Sequence, residues 1–187
     1  MKTIEEHLAR YKSVHLNQKN INTHFIGVPL IFLAVSVLFS LLPFALTIDN
    51  VLGTTFTIQL TPVVLLFLLV GLYYVCLHRL LGLGMLLYIT VNLLVVHYLM
   101  GFKNVLYIAI GLFVIGWIIQ FLGHHYEKAK PAFVDDLNQL LIGPLFLMAE
   151  VYFMLGFESE LEAKITALAI KKRHFLEAQK NNNVGNN

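Results

Sequence analysis

The chain opens on a polar stretch, MKTIEEHLARYKSVHLNQKN, and then turns apolar in successive long runs. The first runs from Phe25 to Leu46 without a charge; the second from Pro62 to Leu77; the third from Leu80 to Met100, with His97 near its end; the fourth from Val105 to Leu122. A fifth, Leu140 to Phe157, is interrupted by Gly143-Pro144 and carries Glu150. A helix that crosses a bilayer core needs about 20 predominantly apolar residues. The pattern therefore predicts an all-α fold: a polytopic membrane helix bundle with four transmembrane spans and a fifth helix that is re-entrant or interfacial.

The separators are short. Thr47 to Thr61 is the longest and holds neither Lys nor Arg; His78-Arg79 and Lys103-Asn104 mark tight turns; His124 to Gln139 is a polar connector. From Glu158 onward the chain reads as an exposed helix with a disordered NNNVGNN end. This gives one membrane-embedded domain over residues 1–157, including the N-terminal His/Asn segment, and a polar tail over residues 158–187. A signal peptide would need an apolar h-region where Glu5 and Glu6 stand, so none is expected.

Composition sharpens this picture. Of 187 residues, 58% are hydrophobic and 13% charged. An ordinary soluble domain has roughly 45–50% apolar and about 25% charged residues. A soluble single-core enzyme and a disordered chain are both excluded as leading readings. The net charge of +2 gives no argument for nucleic acid. The lone cysteine, Cys76, excludes a disulfide framework and a cysteine-based zinc site, and reads as inert packing. Basic residues collect before the first span (Lys2, Arg10, Lys12, Lys19) and after the last (Lys164, Lys171, Lys172, Arg173, Lys180). The positive-inside rule then places both termini in the cytoplasm and requires an even number of crossings.

Histidine carries the chemical signal. His7 and His174 fall in polar terminal segments and read as solvated. In the four-span arrangement His15, His24, His78, His124 and His125 all fall at the cytoplasmic ends of spans. Ionisable groups at membrane depth are costly and tend to mark function. Neutral imidazoles converging on one face suit Fe, Zn, Cu or Ni; the alternative is a belt of interfacial side chains in the headgroup region. His15 and His24 are nine residues apart and would point to opposite sides of one continuous helix. Sharing a ligand requires a break between them. Asn17, Asn20 and Asn22 supply it: one helix should end near His15–Asn17 and the next begin near Asn22, capped by Asn22 or Thr23. Gln120, His124 and Glu127 recur at i, i+4, i+7 and share one face at the end of the fourth span. Glu127 there suits a ligand or a group that orients the imidazole. Glu150, amid apolar neighbours, needs a partner or must stay protonated. His97 lies toward the opposite membrane face and reads as structural, while His78, beside Arg79, reads as a loop or headgroup contact.

The chain has no nucleophile elbow, P-loop or HExxH, and none of the histidine boxes of membrane di-iron enzymes. It does carry three ordered blocks: Tyr11, His15, Asn17, Asn20, His24 and Pro29; Gly116-Trp117-Ile118, Gln120-Phe121, Gly123-His124, Glu127-Lys128 and Pro131-Ala132; and Pro144, Phe146, Glu150 and Leu155-Gly156-Phe157. In these it resembles the fungal endoplasmic-reticulum 2-hydroxy fatty acid dioxygenases and their bacterial relatives. The resemblance implies an Fe(II)-dependent reaction of O2 with a 2-hydroxy long-chain fatty acid, an α-oxidation that gives the acid one carbon shorter. In fungi this serves sphingolipid degradation. It implies His15, His24 and His124 as primary metal ligands, with His125 and His97 as reserves. Asn20, Gln120, Glu127 and Glu150 would hold the ligands or contact the substrate head, and Lys19 or Lys128 would steer its carboxylate. The expected partners are a 2-hydroxy fatty acid, O2 and membrane lipid; the host membrane is bacterial inner membrane or endoplasmic reticulum. Two rival classes stay open: a haem- or metal-binding membrane protein, and a non-catalytic lipid-binding scaffold.

Overall fold

The computed structural model describes residues 3–42, 44, 46–48, 58–134 and 136–184. Among them are seven α-helices: α1 Ile4–Lys12, α2 Gln18–Ser40, α3 Pro62–Leu77, α4 Arg79–Leu99, α5 Val105–Glu127, α6 Gln139–Met154 and α7 Ser159–Val184. Two three-residue strands, β1 Leu46–Ile48 and β2 Ile58–Leu60, pair antiparallel with Leu46 opposite Leu60. The helical architecture is as expected; this small ribbon is an addition to it, and Leu46, expected to close the first span, lies in the ribbon because α2 already ends at Ser40.

Among the described residues three helices are long and apolar enough to cross a membrane: α2, α4 and α5. Only 28%, 33% and 22% of their most apolar windows are buried, so most of those apolar side chains face outward, as lipid contact requires. The expected second span is α3, with 16 residues. At 1.5 Å per residue it is about 24 Å long, short of the about 30 Å of a typical hydrocarbon core. α6 also has 16 residues. Gly143-Pro144 does not break it: the helix runs through Pro144 to Met154.

The chain forms two compact units. One comprises Pro29–Trp117. Within it α3 and α4 pack as a hairpin. His78 caps α4, its Nδ1 accepting the Leu81 N–H at 3.3 Å. A side chain at Gly82 would run into the backbone of Tyr74 and Val75, so glycine is what lets the two helices meet this closely. Phe32 stacks on Phe67 at 5.0 Å beside a core of Val63, Phe67 and Ile89; a second core gathers Val37, Val96, Val105 and Ala109.

The other unit comprises Met1–Val28 and Ile118–Asn187 and holds α1, α6, α7 and parts of α2 and α5. α1 starts in a capping box: Glu6 N–H donates to Thr3 Oγ1 at 3.3 Å, and Thr3 N–H to Glu6 Oε2 at 3.0 Å. It packs against both α6 and α7. His7, expected to be solvated, is buried in α1 with its Nδ1 3.5 Å from Asn138 Nδ2. α7 is more than an exposed tail: Leu161, Ile165 and Ala169 form a buried stripe at i, i+4, i+8. The Asn-rich stretch expected to be disordered is helical through Val184, and residues 185–187 lie outside the described residues.

Candidate metal centre

The centre is built where α1 ends and α2 begins. α1 stops at Lys12 and α2 starts at Gln18, so the break lies over residues 13–17 and His15 sits inside it. The break is earlier than expected, and its cap is Asn17 rather than Asn22 or Thr23: Asn17 Oδ1 accepts the Lys19 N–H at 2.9 Å. The reason is tertiary, since the Leu16 and Asn17 N–H groups donate to the Glu127 carboxylate at 3.2 and 2.8 Å. His24 consequently lies in the second turn of α2 and His124 in the last turn of α5.

His15, His24 and His124 are all buried, and one ring nitrogen of each lies within 4.8 Å of the others. The ring centroids are 4.4 Å apart for His15–His24, 4.9 Å for His15–His124 and 5.0 Å for His24–His124. Gly123 permits this approach. A methyl group there would strike Thr23 Oγ1 and Asn20 Oδ1 and come within 3.3 Å of His24 Nδ1. Tyr11 stacks flat on His15, with centroids 4.1 Å apart and planes 3° from parallel, and Phe146 lies against both rings.

Hydrogen bonding fixes which nitrogens are free. His15 Nδ1 lies 2.7 Å from the Tyr11 carbonyl and His24 Nδ1 2.9 Å from the Asn20 carbonyl. A carbonyl only accepts, so both Nδ1 atoms carry the proton and both Nε2 atoms of the neutral rings bear lone pairs. Those two Nε2 atoms stand 3.0 Å apart. Two lone pairs facing each other at that distance repel unless a cation lies between them. Protonating a ring is a poor remedy: burial, reinforced by His24 and His124, holds His15 well below its ordinary value. A metal ion is a better one. Two nitrogens bound at a right angle about 2.1 Å from one ion would themselves be about 3.0 Å apart. The third imidazole supports this fit, because His124 Nδ1 is buried without a hydrogen-bond partner. The donor set suits a metal ion on these grounds.

The other expected site residues are placed as follows. Asn20, Gln120 and Glu127 are buried. Asn20 links the parts: its Nδ2 donates to Val14 O and Glu127 Oε2, both at 3.2 Å, and its carbonyl receives His24. Glu150 is paired with Lys12, Nζ to Oε1 at 2.6 Å, and that ammonium also lies over the Phe146 and Phe153 rings. The reserves His125 and His97 are not brought to the cluster. His125 follows His124 on the helix and is therefore turned outward, exposed, edge-on to Tyr126; His97 is exposed on α4 in the other unit. Lys19 lies over the Tyr126 ring at 5.5 Å, and Lys128 is exposed. Two charged residues at the site were missed by reading the sequence, Lys12 and Arg173. Arg173 had a legible signal, since it extends the stripe Leu161, Ile165, Ala169 by one further i+4 step.

A family profile described as 2-hydroxy-palmitic acid dioxygenase Mpo1-like matches residues 1–155. The chain belongs to this family. Among curated relatives, the 2-hydroxy-palmitic acid dioxygenase MPO1 of Saccharomyces cerevisiae (strain ATCC 204508 / S288c) is 36% identical over 176 residues, spanning 91% of this chain and 92% of the relative. No solved structure matches the chain. The stretch that matches the Mpo1-like profile contains all three clustered histidines, Asn20, Glu127 and Glu150, and ends before α7.

Proposed function

We propose that this chain is an Fe(II)-dependent dioxygenase that carries out α-oxidation of 2-hydroxy long-chain fatty acids. The observation that carries the reading is the pair of Nε2 lone pairs held 3.0 Å apart beside His124, in a chain of a dioxygenase family. The overall reaction balances with O2 as the sole oxidant: a 2-hydroxy acid and O2 give the acid one carbon shorter, CO2 and water. His15, His24 and His124 would hold Fe(II), which when bound supplies O2 chemistry and open positions for a 2-hydroxy-carboxylate head.

The protein's own groups prepare that site. The Tyr11 and Asn20 carbonyls fix the tautomers of His15 and His24 and aim both rings. Tyr11 and Phe146 cover His15 with aromatic surface and exclude water from that side. Glu127 ties the loop before α2 to the end of α5, fixing His15 relative to His124. The apolar, outward-facing helices suit lateral entry of an acyl chain from lipid. We place the chain as an integral membrane protein with both basic termini cytoplasmic, α3 serving as a short fourth crossing; the positive-inside rule supports this.

The test is anaerobic purification of the full chain in detergent, metal analysis, then addition of Fe(II), O2 and 2-hydroxypalmitate with products read by mass spectrometry. Iron-dependent formation of the fifteen-carbon acid is expected. Stoichiometric zinc with no iron-dependent product, or a haem absorption band, would overturn the assignment.

A further inference from the structure

Glu127 is buried, its side chain 3% exposed, at the end of the helix that carries His124. A carboxylate has about four acceptor positions. Here Oε1 accepts Leu16 N–H at 3.2 Å and Arg173 Nη1 at 3.3 Å, while Oε2 accepts Asn17 N–H at 2.8 Å and Asn20 Nδ2 at 3.2 Å. No position is left for an ion, so Glu127 acts by holding other groups. Of its four partners only Arg173 carries a charge to balance it.

Arg173 does more than neutralise. Its Nη1 also donates to Ser13 O at 3.4 Å, its Nη2 donates to the Glu127 carbonyl at 3.3 Å, and its Nε donates to Glu177 at 2.6 Å. One planar fork thus reaches the loop two residues before His15 and the backbone one turn after His124. Through Glu127 and Asn20 it reaches the carbonyl that aims His24. His15 and His124 thus lie two and three residues along the chain from groups that Arg173 holds, and His24 lies two intermediaries away. The buried stripe Leu161, Ile165, Ala169 presses α7 onto α1 and delivers the guanidinium to this point.

We propose that Arg173 is a positioning residue of the metal centre, contributed by a helix that lies beyond the stretch matching the family profile. The inference rests on the three-histidine metal reading. Lysine would not fully serve in its place, because a compact ammonium on a flexible stem lacks the rigid fork that holds these four acceptors at once. Changes to groups that orient metal ligands typically cost about 10- to 100-fold in affinity.

The experiment uses the full chain in detergent and Co(II) as the probe, its visible absorption reporting affinity and ligand geometry. Hydrogen exchange of the 13–17 backbone is measured alongside. R173Q is expected to bind Co(II) about 10- to 100-fold more weakly, with an altered spectrum and faster exchange at Leu16 and Asn17. R173K is expected to recover only part of the affinity. K171Q, which removes an exposed charge from the same helix, is expected to bind as wild type. If R173Q misfolds, R173K decides: wild-type affinity and spectrum in R173K overturn the proposal. Wild-type protein that binds no metal overturns the functional reading and this inference with it. Wild-type protein that binds metal, beside an R173Q variant that binds it equally, overturns this inference alone.

Discussion

Replacing Gly123 by alanine adds one methyl group where α5 lies against Asn20, Thr23 and His24 of α2. Its Cβ would overlap Thr23 Oγ1 and Asn20 Oδ1 and press on His24 Nδ1 at 3.3 Å. Neither overlapped side chain is free to swing away. Thr23 Oγ1 donates to Asn20 O at 2.7 Å, and Asn20 Nδ2 holds Val14 O and Glu127 Oε2, both at 3.2 Å. Rotating Asn20 forfeits two buried hydrogen bonds, at about 1 kcal/mol each. The alternative is for the helices to separate, and overpacking strain of that kind costs about 1–3 kcal/mol. The first route costs about 2 kcal/mol and the second about 1–3 kcal/mol, partly offset by the about 0.5–1 kcal/mol that alanine gains over glycine in a helix. The functional effect is larger in proportion, since ligand distances in a metal site tolerate only about 0.2 Å. A helix displaced by even half an ångström moves His124 out of register with His15 and His24. Gly123→Ala is expected to lower both the thermal unfolding midpoint and metal affinity, the latter about 10- to 100-fold. Gly111, on the same helix, is the control. An added Cβ there meets nothing within 4 Å, and alanine in a helix interior is favoured over glycine by about 0.5–1 kcal/mol. Thermal scans and Co(II) titrations of both variants decide the matter. A Gly123→Ala protein with wild-type midpoint and affinity would refute the argument that this glycine sets the geometry of the centre.

Other outcomes follow from the same geometry. Alanine at His15, His24 or His124 should abolish stoichiometric metal and turnover, while alanine at the exposed His125 or His97 should leave both intact; metal analysis of the five proteins checks this. Breaking the Lys12–Glu150 pair from one side, as in Lys12→Met, strands a charge whose side chain is only 14% exposed and should cost about 3–5 kcal/mol, whereas Lys12→Met with Glu150→Leu should cost markedly less; chemical denaturation of single and double variants measures the difference. Because burial holds His15 below its ordinary value of 6.5, the unfolded chain binds a proton there that the folded chain does not. Stability of the metal-free protein should therefore fall as pH drops below about 6.5, by up to about 1.4 kcal/mol per pH unit from this residue. The same residue stays neutral in the folded site, so metal affinity should survive below the pH at which an exposed histidine would protonate. Thermal midpoints against pH for wild type and His15→Gln test the first point, since the variant should show a shallower slope.

The sequence determined the helices, because hydropathy is a local property: the runs at Pro62–Leu77 and Val105–Leu122 needed no knowledge of their neighbours to be recognised. It also determined which histidines to suspect, through the ordered blocks that carry the family resemblance. The length of α3 was equally legible, but whether 16 residues suffice to cross depends on lipid and packing rather than on the run itself. What joins distant parts of the chain was left to the tertiary structure. The break before α2 falls at residues 13–17 because Glu127, 110 residues further along, accepts the Asn17 N–H. Glu150 has Lys12 for a partner across 138 residues, and Glu127 has Arg173 across 46. A charge in a sequence shows only that it will need a counter-charge if buried; which one it meets is set by how helices pack. The resemblance already put His124 before His125, but what turns His124 inward is packing, since adjacent residues on a helix point about 100° apart.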